Sequence, residues 1–265
     1  MIRVLSLGAG VQSTTLALMY SRGDLGPMPD CAIFADTGWE PRAVQEHLDR
    51  LEPALRFPVY RIAAGNIRDD IMAKSTTKTG RFASLPWFLR MPDGSEGMGR
   101  RQCTAHYKLE PIRKKVRELL GLPYPNRVPP DSCVMLIGIS TDEAMRAKDS
   151  KTRFIKNEHP LLDAGMSRSD CRIYLRERQW KAPKSACIGC PFHSNAAWRD
   201  IRDNEPEEWA DAVMVDKVIR DAGSMRGILG KQFMHRSLVP LDQADLDRGQ
   251  PFDLFGNECE GMCGT

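Results

Sequence analysis

Apolar residues in the first 140 positions fall in short runs, not at helical spacing. Residues 2–7, 31–35, 59–62 and 134–139 are each mostly apolar and bounded by turn-forming or polar residues. Runs of this length predict buried β-strands. Between them, longer stretches alternate apolar and polar positions as helices do. Helices are predicted over residues 13–21, 41–55 (with Pro41 in the first turn) and 105–120, the last strongly basic. Strand–helix alternation predicts an α/β fold, a parallel sheet flanked by helices on both faces in a Rossmann-like arrangement. In such sheets ligands bind beyond the carboxyl ends of the strands. After Asp142 the pattern changes to shorter helices, near 167–178, 196–202 and 206–222, which predicts a helical C-terminal part. From Gly223 onward few periodic runs remain. The expected division is therefore a domain over 1–222 and a tail over 223–265. Between Lys74 and Arg101 periodicity breaks, with Trp87 and Phe88 set among Lys, Thr, Gly, Pro and Met, and this stretch reads as a substrate-facing lid.

Composition adds exclusions. With 265 residues and 42% hydrophobic content, a large core is expected. A net charge of +3 does not by itself argue for a nucleic-acid partner. No apolar run is long enough to predict a membrane span. The N-terminus reads as a first strand rather than a secretion signal, so a cytoplasmic protein is expected. Eight cysteines in a reducing compartment then argue for metal or catalytic duty rather than disulfides.

Three segments carry candidate chemistry at predicted strand ends. The first is Ser6-Leu7-Gly8-Ala9-Gly10-Val11-Gln12-Ser13-Thr14. Its glycines allow close approach of a phosphate, the following helix supplies free N–H groups, and Ser6, Ser13 and Thr14 offer hydroxyls. It lacks the Gly-Lys-Ser/Thr of a Walker loop, and a turn built only for packing is the alternative. The second is Asp36-Thr37-Gly38-Trp39-Glu40-Pro41. Asp36 is a candidate to accept from a ribose or base, or to hold Mg²⁺; otherwise the segment is a capped turn. The third runs from Gly138 to Arg146, with Arg146 a candidate to pair with phosphate or sulfate oxygens. Its alternative is a helix start with acidic residues in the first turn.

In this order the three segments resemble the adenine nucleotide alpha hydrolase superfamily, in particular the branch of phosphoadenylyl-sulfate (PAPS) and adenylyl-sulfate (APS) reductases and N-type ATP pyrophosphatases. Arg101-Gln102-Cys103-Thr104, Tyr107-Lys108-Leu109-Glu110-Pro111-Ile112, Pro160-Leu161-Leu162 and Cys187-Ile188-Gly189-Cys190-Pro191-Phe192 with Trp198 extend the likeness over about residues 1–215. The family's loop is typically Ser-Phe-Ser-Gly-Gly-Lys-Asp-Ser. Here Gly8 replaces the inner serine and Val11-Gln12 replace Lys-Asp, which argues against ordinary Mg-ATP pyrophosphate cleavage. The resemblance implies nucleotide contacts from Ser6, Gly8, Ala9, Gly10, Ser13, Thr14, Asp36, Thr37, Gly38, Gly138 and Arg146. Arg100, Arg101 and Lys108, which flank Cys103, are candidates to neutralise sulfate or phosphate.

Cys187 and Cys190 form a C-x2-C in a turn-rich segment, and the resemblance implies that Cys103 lies beside them. Two metal readings follow: a four-iron, four-sulfur (4Fe-4S) cluster held by three cysteines, as in certain tRNA-thiolating enzymes, or a zinc site completed by His193. A metal-free redox pair is a third reading. Glu258-Cys259 resembles the Glu-Cys-Gly motif on the mobile tail of thioredoxin-linked sulfonucleotide reductases. That implies Cys259 as nucleophile and Cys263 as resolving thiol, or either as a fourth cluster ligand. Three functions are therefore expected in competition. The first is a thiol-dependent reductase of activated sulfate using PAPS or APS and a reductant such as thioredoxin. The second is ATP-dependent thiolation of tRNA, DNA or a small molecule. The third is a non-enzymatic, zinc-stabilised nucleotide-binding module.

Overall fold

The structure, a computed structural model, describes residues 1–73, 85–221 and 230–247. Five parallel strands form its central sheet in the order β3-β2-β1-β6-β7: β1 (Ile2–Ser6), β2 (Cys31–Asp36), β3 (Val59–Ala63), β6 (Cys133–Ile137) and β7 (Ile155–Glu158). The chain runs outward from β1 to β3, then returns to the other side of β1 with β6. The order thus reverses between β1 and β6, and a ligand crevice is expected there.

Strand pleating explains why these runs are apolar throughout. Alternate residues serve two separate layers. Leu5, Ala32, Phe34, Val134 and Leu136 pack with helices α1 (Val11–Arg22), α2 (Arg42–Leu51) and α6 (Arg168–Glu177). Val4, Ile33, Ala35, Met135 and Ile137 pack instead with Ile112 and Val116 of α4 (Glu110–Leu119). Both faces of the sheet are covered, as the sequence pattern predicts.

A second hydrophobic cluster lies to one side. It joins α3 (Ile67–Met72), α7 (Asn195–Asn204) and α8 (Pro206–Asp221) around Trp39, Trp87 and Trp198. A short antiparallel sheet, β4 (Phe88–Arg90) between β5 (Glu96–Met98) and β8 (Lys231–Phe233), borders it. The stretch read as a lid is therefore divided. Residues 74–84 lie outside the described residues. The remainder is anchored, because Leu85 and Trp87 are buried and β4 pairs on both edges. Asp216 on α8 fastens residues 230–247: its carboxylate accepts from the backbone N–H of Met234 at 2.9 Å and of Leu241 at 3.0 Å.

Several boundaries differ from expectation for local reasons. Helix α1 begins at Val11, so Ser13 and Thr14 lie in its first turn. Helix α2 ends at Leu51 and a 3-10 turn, Glu52–Ala54, follows where Pro53 interrupts. The basic stretch predicted as one helix begins as a π-helical segment, Thr104–Leu109, before α4. Strand β7 and the four-residue α5 (Pro160–Asp163) carry too few apolar residues to be read from periodicity. Helix α6 matches closely, since Ser167 and Asp170 form a capping box at its start.

Because Trp87 is fully buried in the second cluster, Trp87→Ala should lower unfolding free energy by about 3–5 kcal/mol. Urea denaturation followed by circular dichroism would measure it. A loss below about 1 kcal/mol would show that this cluster is not closely packed around the indole.

Candidate functional site

The loop after β1 turns sharply. Ala9 has φ 60°, a left-handed conformation unusual for a residue with a side chain. Gly10 is the N-cap of α1. Gly138, at the end of β6, lies so close to this helix start that a Cβ there would sit 2.9 Å from the Ser13 nitrogen. Glycine at that position lets β6 and the phosphate-loop helix meet. The side chains of this first turn mostly bond inward. Ser13 Oγ donates to the Gly10 carbonyl at 3.4 Å, and Thr14 Oγ1 shares a 2.9 Å hydrogen bond with His47 Nε2. Gln12 Nε2 donates to Ser140 Oγ at 3.4 Å and to Glu143 Oε2 at 3.3 Å. Arg146 holds the other Glu143 oxygen at 2.5 Å. The Oγ of Ser6 is buried and has no hydrogen-bond partner among the described residues. A ligand at this loop would therefore meet backbone more than hydroxyls.

The Asp36 turn is also internally bonded. Asp36 accepts from the Gly38 N–H at 2.7 Å and from Gln45 Nε2 at 3.0 Å. Next to it lies a buried polar cluster. Glu40 Oε1 accepts from Thr37 Oγ1 at 3.0 Å and faces Lys108 Nζ at 3.6 Å, with side chains only 1% and 6% exposed. Cys187 Sγ lies 3.1 Å from Thr37 Oγ1 and 3.6 Å from Glu40 Oε1. Burial and the Glu40 carboxylate push the Cys187 thiol well above its usual range. Lys108 is thus engaged by a buried carboxylate. Glu40, not assigned a role from sequence, is the hub of this cluster.

Residues 185–189 cross the strand ends. Ser185 Oγ donates to the Gly8 carbonyl, Ile188 N–H donates to the Trp39 carbonyl at 2.9 Å, and Trp87 Nε1 donates to the Gly189 carbonyl at 3.2 Å. Gly189 is required here, since a Cβ would fall 2.1 Å from the Trp39 ring. His193 Nε2 bonds the Cys187 carbonyl at 3.0 Å, while burial pushes its imidazole down to about 3. Cys103 packs against the second cluster, and Arg101 lies over the Phe192 ring at 5.6 Å. Arg100 is exposed.

Among the described residues, no group of three or more His, Cys, Asp or Glu side chains is placed to hold a metal ion. The Cys187 thiol is turned to Thr37 and Glu40, and His193 bonds backbone through Nε2 while its buried Nδ1 has no hydrogen-bond partner among the described residues. Cys259 and Cys263 lie outside the described residues. Among the other cysteines, burial pushes Cys31 up to about 11 and Cys133 up to about 12, so both are core thiols.

Beside the start of α1 the surface opens into a cleft of about 600 Å³. Val11, Leu175, Trp180, Ala182 and Pro183 give it apolar walls; Arg168, Arg172, Arg176, Lys181 and Lys184 line it too, and no carboxylate does among the described residues. A larger cleft of about 970 Å³ shares Arg168, Arg172 and the 181–184 strip, and extends to His193, Asp200, Glu205 and Glu208. The sequence signal was present but unread: three arginines at every fourth position of α6, then Lys-Ala-Pro-Lys.

No family model matches the chain. No curated protein matches it either. Two solved structures are similar in chain path. One is a phosphoadenylyl-sulfate (PAPS) reductase from Candida auris in complex with phosphate, 13% identical at a TM-score of 0.43, covering 69% of this chain and 75% of that one. The other is the U34-tRNA thiolase NcsA from Methanococcus maripaludis with its four-iron, four-sulfur cluster, 11% identical at 0.37, covering 82% of this chain and 71% of that one. These are the two kinds of protein that the sequence motifs resemble. No site residue is assigned from either.

His47 links α1 to this cleft, bonding Thr14 and meeting Trp180 edge-on at 6.1 Å. Burial, then the nearby Arg50 charge, pushes its imidazole down to about 4. Unfolded, it would titrate near 6.5, so between these values the unfolded chain binds the extra proton and stability falls as pH falls. At pH 5 this group should remove about 2 kcal/mol relative to pH 7.5. Urea midpoints at both pH values would measure it, and His47→Asn should flatten part of the slope. An unchanged slope in that variant would mean that His47 titrates normally.

Proposed function

We propose that the chain is an adenine-nucleotide-binding enzyme of sulfur metabolism that reduces activated sulfate, as PAPS or APS, with thiols. The observation that carries the reading is the basic cleft at the start of α1, lined by Arg172, Arg176 and Lys181 as well as Arg168 and Lys184, beside the point where the sheet order reverses. A helix N-terminus with clustered arginine and lysine favours an anion bearing several phosphate or sulfate oxygens. The Candida auris neighbour, named as a PAPS reductase and solved with phosphate, is of the same kind.

In this reading the sulfonucleotide lies in the cleft with its anionic groups toward α1 and α6. The thiolate of Cys259 attacks the sulfate sulfur. A sulfur–sulfur bond forms, the bond from sulfur to the bridging oxygen breaks, and the nucleoside phosphate leaves. A second thiol, from Cys263 or thioredoxin, then attacks Cys259 sulfur. Sulfite leaves, and the two thiols become a disulfide, having supplied the two electrons that take sulfate to sulfite. Tail thiols suit this role better than Cys31, Cys133 or Cys187, whose raised values keep them protonated at neutral pH.

Purified protein given APS or PAPS with thioredoxin should release sulfite. Cys259→Ser should abolish release, and Arg172→Glu should lower kcat/KM about tenfold or more through the lost anion contact. No sulfite from either nucleotide would refute the reading. Pyrophosphate release from ATP in its place would assign the chain to ATP-dependent thiolation.

A further inference from the structure

The two ends of the 600 Å³ cleft differ. Arg168, Arg172, Lys181 and Lys184 line both this cleft and the larger one, so the cationic groups concentrate at their junction. Val11, Leu175, Arg176, Gln179 and Trp180 line only the smaller cleft. A ligand filling it would therefore meet the shared cations and, in the part that is not shared, an aromatic ring and an amide beside Arg176. A nucleotide has the same division, and the volume lies in the usual range for small-molecule sites.

The aromatic end is held in place. The Arg50 guanidinium lies 4.4 Å from the Trp180 ring centre, and its Nη2 donates to the Gln179 carbonyl at 2.9 Å. His47 meets the indole edge-on. Gln179 takes φ 58°, although glycine is the usual residue in a left-handed position after a helix. The turn is closed by Gln179 N–H to the Arg176 carbonyl at 3.0 Å and Trp180 N–H to the Leu175 carbonyl at 2.9 Å. Glycine would suit this backbone better and would carry no amide. A glutamine amide can pair with the edge of adenine, donating and accepting at once. A flat indole offers a face on which any base stacks.

We infer that Trp180 and Gln179 form the nucleobase subsite of this cleft, Trp180 stacking on the base and Gln179 reading its edge. The inference rests on the nucleotide-binding part of the function proposed above, and it concerns where the base sits, not what becomes of the sulfur.

The test compares AMP with inorganic pyrophosphate, which has anionic groups and no base, by calorimetry on the full chain. Wild-type protein should bind both and quench tryptophan fluorescence with AMP only. Trp180→Ala should weaken AMP about tenfold and leave pyrophosphate unchanged, which also shows that the variant is folded. Trp180→Phe should recover most AMP affinity, and Gln179→Ala should reduce the preference for AMP over UMP. Unchanged AMP binding in Trp180→Ala, or equal loss of AMP and pyrophosphate, would overturn the subsite. Wild-type binding of pyrophosphate but not AMP would overturn it while leaving the basic cleft intact. Binding of neither would remove the nucleotide reading as well.

Discussion

The attachment of residues 185–189 across the strand ends governs how the rest of the molecule is arranged. Hydrogen bonds from Ser185 to Gly8, from Ile188 to Trp39 and from Trp87 to Gly189 run along this short strip. It thus joins the loop after β1, the turn after β2 and the tryptophan-rich second cluster. A strip of backbone at the carboxyl end of a sheet needs partners for its polar groups, and these contacts supply them. They also fix what Cys187 can do, since its thiol points into the buried Glu40–Lys108 pair. An ion pair so deeply buried is a weak source of net stability, because desolvation offsets much of its attraction. The contact joins the helical segment that carries Lys108 to the turn after β2.

Glycine makes the close approaches possible. Gly138 brings the end of β6 against the start of α1, and Gly189 brings the strip against Trp39. In each case the missing side chain is replaced by an immediate neighbour, backbone at one and an indole ring at the other. The glycines at 8 and 10 suggest a phosphate loop, and a close approach to the helix start that follows it comes from Gly138, more than a hundred residues away.

The sheet was legible in the sequence because both its faces are buried. Runs such as Val4-Leu5 and Cys133 to Ile137 are apolar without alternation, which leaves little choice but a covered parallel strand. Strand β7 was not legible, because Lys156, Asn157 and Glu158 hide an edge strand with little apolar content. The site was legible in part. Gly10 caps α1 at the expected loop, whereas Ser13, Thr14 and Asp36 bond neighbouring residues; Asp36 does not cap the next helix, whose N-cap is Pro41. Cys103, Cys187 and Cys190 were joined by resemblance, which says nothing of where each thiol turns. The basic cleft was missed because its arginines sit on a helix whose charges read equally well as a solvated face. Only the fold brings that helix beside α1.

The basic cleft has a consequence for the resting protein. Arg172, Arg176 and Lys181 stand around one hollow with Arg168 and Lys184, so a small polyanion that enters it meets several cations at once. Phosphate or sulfate bound there in the folded protein alone would stabilise it by simple mass action, whatever its natural ligand. An affinity measured in such a buffer is a displacement constant, and it reports as much on the ion leaving as on the ligand arriving.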